Sequence, residues 1–157
     1  MREILFRGIP KFEFRKWAEG YYYQMVGSPP TSFIRDVYGN DTEVFPETVG
    51  QFSGMCDKNG VKIFEGDIIQ ITNADHKHIC AVCKYGIARR VVGIYTLDIP
   101  CFYFEMKDGF KSFPIVNNYE GKHDLELFEV VGSIHQRSEA KIYDILKDGN
   151  YETHTRV

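Results

Sequence analysis

The sequence has no long apolar run. No segment approaches the roughly 20 consecutive apolar residues that a bilayer-spanning helix needs, which excludes that class of membrane protein. It also lacks a secretory signal: Met1-Arg-Glu-Ile-Leu-Phe-Arg7 carries charge within its first residues and no apolar stretch of signal length. Four cysteines without such a signal fit a reducing cytoplasm, and the expectation is a soluble, unexported chain. Positive charge is short as well. The net charge is −3, and residues 1–40 carry six Lys/Arg against four Asp/Glu, so the acidic excess lies further along. A mildly acidic body is a poor partner for nucleic acid, whose binding rests on neutralising phosphates. Missing too are a phosphate-cradling Gly-rich loop, a dinucleotide fingerprint and a nucleophile elbow. No internal repeat or low-complexity tract occurs.

Aromatics are plentiful, with 12 Phe and 10 Tyr beside a single Trp. Most fall in extended-looking runs, which favours sheet over helix. Arg2–Arg7 alternates as a first strand, and Tyr21–Val26 reads as a second. Gly27-Ser-Pro-Pro-Thr31 is a loop, because its prolines remove ladder donors. Ile34–Tyr38 reads as a short strand before Gly39-Asn40-Asp41, where the chain is expected to break between an N-terminal region and the main domain. Further on, His76–Tyr85 and Arg90–Leu97 read as two strands parted near Gly86. Asp108-Gly109, between Cys101–Lys107 and Phe110–Pro114, is the strongest hairpin signal. Leu125–Ile134 is a last, bent strand with a bulge at Gly132. Ser138–Lys147 changes period, with Ile142, Ile145 and Leu146 at helical spacing between a Ser138 cap and Gly149.

The most informative stretch is Glu47–Ile71. Val49 and Phe52 form an apolar segment that Gly54 ends, Asp57-Lys58-Asn59-Gly60 is a turn, and Glu65-Gly66-Asp67 is a second turn leading into Ile68–Ile71. Two turns and three strand pieces in so short a span predict a small β-barrel. This stretch resembles the YopX-like family of phage and prophage proteins through Glu47–Gly54, Asp57–Gly60 and Ile63–Ile68. Met1–Gly8 and Glu129–Ile134 match the family's opening and closing motifs, and Trp17–Tyr21 matches a third loosely. The resemblance implies an SH3-type barrel with a β-rich N-terminal region, higher oligomers, a bacterial host cytoplasm and no established activity. It supplies no catalytic residues. Its motif positions Gly50, Gly54, Asp57, Gly60, Gly66 and Asp67 read as structural.

Several clusters carry side chains suited to chemistry. His76, His78, Cys80 and Cys83 combine two imidazoles with a Cys-x-x-Cys pair, a donor set suited to zinc. All four lie within eight residues and no second half-site is evident, so buried cysteines beside a surface His pair are the favoured reading. Redox chemistry would want the pair at a helix N-terminus, and the context is β. Glu65 and Asp67 could share acid–base work, but turn chemistry accounts for them better. Thr48, Ser53 and Ser133 have no base nearby in sequence. Lys84, Tyr85, Arg89 and Arg90, like Arg15-Lys16-Trp17, interleave cations with an aromatic, as a base-stacking surface does. A solvated face is favoured there. The aromatic runs Tyr21–Tyr23 and Phe102–Phe104 place apolar groups on both strand faces, so one face must meet a neighbour.

The expectation is therefore a mainly β protein. It comprises a β-rich region over 1–40, a small SH3-like barrel over 41–136, and a short helix and tail over 137–157. No catalytic residue, metal or cofactor is called for, and the enzyme reading is rejected. The function expected is a non-enzymatic interaction or assembly module, homo-oligomeric, with an unidentified phage or host protein as further partner and no membrane. The alternative is a nucleic-acid-binding small β-barrel.

Overall fold

A computed structural model of the chain describes residues 3–13, 16–72, 78–114 and 121–135. These divide into two compact units between Gly54 and Met55. The expected helix over 138–147 and the tail lie outside the described residues, as do Arg15 and His76.

The first unit holds β1 (Phe6–Gly8), β2 (Ala18–Met25), β3 (Thr31–Arg35), β4 (Asp41–Glu43) and the start of β5 (Gly50–Cys56), which runs on into the second unit. They ladder antiparallel in the order β4-β3-β2-β1-β5. Residues 40 and 41, where a boundary is expected, sit where the β3–β4 turn enters β4, a turn pinned by Asp36 accepting from the amides of Tyr38 and Asn40. Leu5, Ile34, Val44 and Phe52 are buried. Thr48 ties the unit together: its Oγ1 donates to the Phe45 carbonyl at 2.7 Å and accepts from the Ile9 amide at 2.9 Å. That is the work of the Glu-Thr-Val-Gly segment. Arg7 is buried with its guanidinium 4.2 Å from the centre of the Trp17 ring.

The second unit contains β6 (Lys62–Phe64), β7 (Asp67–Thr72), β8 (His78–Val92), β9 (Tyr95–Met106), β10 (Lys111–Ser112) and β11 (Phe128–Ser133). Strand β6 lies beside β5 across the Asp57–Gly60 turn, and the other five form an antiparallel sheet in the order β10-β9-β8-β7-β11. Its core is Ile63, Ile69, Ala81, Cys83, Phe104 and Phe128, with the Phe104 and Phe128 rings edge to face at 4.9 Å. The bulge near Gly132 is present, as a register shift between Val130 and Gly132. So is the Asp108-Gly109 hairpin, closed by the Phe110 amide donating to Asp108.

Two expectations are corrected. The described strands do not close into a barrel; they form two open antiparallel sheets. Closure needs the edge strands to meet, and in the second sheet a two-residue β10 and β11 remain at opposite edges. Gly86 does not end a strand either. It lies within β8 opposite Cys101, and its missing side chain makes room for the Tyr103 ring, 3.3 Å from where a Cβ would stand. The reversal comes later, at Gly93, whose φ of 62° is the left-handed conformation that a tight hairpin requires.

Candidate functional site

The residues first nominated for chemistry are taken up by the fold. Gly66, at φ 85°, lets the chain reverse between β6 and β7, and the fully buried Asp67 carboxylate then accepts from the Phe64 amide at 2.8 Å. Ser133 Oγ donates to the Gly66 carbonyl at 3.1 Å, locking β11 to that turn. Asp57 accepts from the amides of Asn59 and Val61 in its own turn and from Val130 of β11. Asp67 and Ser133 are thus joints in the second unit.

The His/Cys cluster is spread by strand alternation. Ala81 and Cys83 face the core, while Cys80 points to the opposite side, also buried, and His78 is exposed. Burial pushes the Cys80 thiol up, away from the thiolate that metals and redox partners need. Among the described residues no group of three or more His, Cys, Asp or Glu is placed to hold a metal ion.

The basic surface expected from the sequence falls on β8, and two of its three cations are paired with carboxylates. Lys84 Nζ pairs with Glu105 at 2.7 Å. Arg89 forms a two-pronged pair with Asp98, at 2.8 and 2.9 Å, and holds that carboxyl below its ordinary value. Arg90 lies over the Phe113 ring at 3.7 Å, and Tyr85 packs edge-on against Phe102. Each partner comes from β9 or from the segment after β10. The four residues do share one hairpin, but what they share it with is apolar.

That hairpin is the feature sequence reasoning missed. Among the described residues, no third strand ladders onto β8 after Val82 or onto β9 before Phe104. Lys84–Val92 and Tyr95–Tyr103 therefore run on as a two-stranded arm, roughly 30 Å long at about 3.3 Å per residue. Register puts Tyr85, Ile87, Arg89 and Val91 on one face and Ala88, Arg90 and Val92 on the other. Tyr95, Leu97 and Ile99 join the second face, opposite Val92, Arg90 and Ala88. The arm's large apolar side chains are exposed on both faces and at its end: Val91 is 74% and Ile94 91% accessible, and Tyr85, Ile87, Val92, Tyr95, Leu97 and Ile99 are each at least 40% so. The signal was available. Val91-Val-Gly-Ile94 runs apolar through successive positions and so serves both faces of the ribbon, and only Tyr95–Ile99 alternates apolar with polar.

No helix among the described residues is long and apolar enough to cross a membrane. Compared with known proteins, residues 24–140 match the family described as YopX protein. No curated protein matches the chain.

Proposed function

The chain belongs to the YopX protein family, and from that premise we propose that it is a phage- or prophage-encoded interaction or assembly module without catalytic activity. It works in the bacterial cytoplasm as a homo-oligomer, with a phage or host protein as a further partner. The observation that carries this reading is the arm of β8 and β9, whose apolar groups stand in water on both faces. An isolated two-stranded ribbon is marginal in water, and patches of that kind mark interaction sites. Its rejection as an enzyme is supported by Asp67, Thr48 and Ser133, whose polar atoms are bonded to nearby backbone. An SH3-like character for the second unit belongs to the same reading. Its five-strand sheet adds the last strand beside the first, and that last strand is entered through a 3-10 turn at Asp124–Glu126, the order on which such barrels are wound.

Light scattering on the purified chain tests the proposal, with an expected mass that is a multiple of 18.2 kDa. Nucleic-acid binding is the alternative, and it is disfavoured by the pairing of Lys84 and Arg89 with carboxylates. A low-salt gel shift with single- and double-stranded DNA and RNA is expected to show no retarded band at micromolar protein. A salt-sensitive shift would promote the alternative.

A further inference from the structure

We propose that the β8–β9 arm, residues 84–103, is a homotypic interface whose occupant is a second copy of this chain. This rests on the assembly reading above and names the surface that performs it. Three observations select the occupant.

The first is charge. Of the arm's ionic groups, Lys84 is paired with Glu105 and Arg89 with Asp98, while Arg90 lies on Phe113. A phosphate backbone or an anionic lipid surface is drawn by cations that are not already neutralised. With two of its three cations closed in pairs and the third laid over a ring, the arm offers little such pull, and a single uncompensated charge is a weak repulsion between identical arms.

The second is area. With full exposure of about 150–220 Å² for side chains of these kinds, the exposed fractions of the eight apolar residues from Tyr85 to Ile99 leave roughly 900 Å² of surface in water. A stable interface covers about 800 Å² on each partner. The arm alone supplies that amount, provided that both faces are engaged.

The third is the backbone. A long ribbon whose two edges take no further strand among the described residues is an invitation to strand addition, and natural sheets blunt such edges with charge, proline or cover. Of these devices, Pro100 and the Arg89–Asp98 pair are present, and Val91 to Leu97 has no charged residue. An identical arm is self-complementary to these edges and faces, as a twofold contact requires.

The test uses the full chain in three forms: wild type, Ile87→Asp/Val91→Asp on one face, and Val92→Asp/Tyr95→Asp on the other. All four positions are solvent-exposed in the isolated chain, so far-UV circular dichroism should be unchanged. Expected is a wild-type multimer by light scattering and self-association weakened at least ~100-fold in at least one variant. A second readout needs no variant: amides of residues 84–103 in the wild-type multimer should exchange with solvent more slowly than those of an open ribbon. Multimeric variants with wild-type mass, or arm amides exchanging freely within the multimer, overturn the arm as interface while leaving oligomerisation standing. A monomeric wild type overturns both. If that monomer floats with phosphatidylcholine vesicles, the arm's occupant is a lipid surface.

Discussion

Replacing Gly20 with alanine is expected to unfold the first unit or come close to it. Gly20 is buried in β2 opposite Phe6 of β1. A Cβ there would stand 1.9 Å from the Arg35 carbonyl oxygen and 2.6 Å from its carbon. Those atoms are backbone of β3, held by the β2–β3 and β3–β4 ladders, so they cannot swing aside as a side chain would. Overpacking that forces backbone apart costs about 3 kcal/mol or more, a fall in Tm of ~10 °C or beyond. Gly39→Ala is the control. Its φ of 89° disfavours a side chain, but nothing lies within 4 Å, so only the backbone term of about 1 kcal/mol applies. Thermal melts of the two variants should differ widely; equal melts would contradict the close approach.

Asp57→Ala is expected to be the costliest change in the turn that opens the second unit. The Asp57 carboxylate is buried and accepts three amides, from Asn59 at 2.8 Å, Val61 at 2.9 Å and Val130 at 3.0 Å. The last of these joins the turn to β11. Alanine strands three amides at a site with little water, a loss of about 2–4 kcal/mol. Burial alone would raise this carboxyl's pKa, but the amides of Val130, Val61 and Asn59 and the Lys58 charge outweigh it, and the value is lowered. A carboxyl whose pKa is depressed by folding stabilises the native state above its unfolded pKa of about 3.9, and the contribution fades as pH falls through the lower native value. Asp57→Asn lacks that titration. The stability gap between wild type and Asp57→Asn in urea should therefore be widest near neutrality and shrink below about pH 4. A gap independent of pH would contradict the assignment.

The motif-rich middle of the chain was legible because its turns have local causes. The turns at Asp57–Gly60, Gly66–Asp67 and Asp108-Gly109 are closed by bonds within a few residues, although Asp57 and Gly66 also reach β11. What was not legible depended on distant partners. Gly86 looked like a breaker, yet it is spared for the Tyr103 ring on the neighbouring strand. Gly54 looked like an end, yet β5 continues through it to Cys56 at a φ of 85°. Barrel closure depends on where edge strands finish, which no local pattern encodes. Lys84, Tyr85, Arg89 and Arg90 lie on one stretch, but their partners Glu105, Phe102 and Asp98 come from across the hairpin and Phe113 from the segment after β10. Without those partners they read as a basic surface; with them they are the stitching of an apolar arm.

That arm makes self-association the claim on which the functional reading turns. The most direct measurement is the mass of the wild-type chain by multi-angle light scattering across a dilution series. The account predicts a multiple of 18.2 kDa that persists at micromolar concentration. A constant 18.2 kDa at every concentration would contradict it.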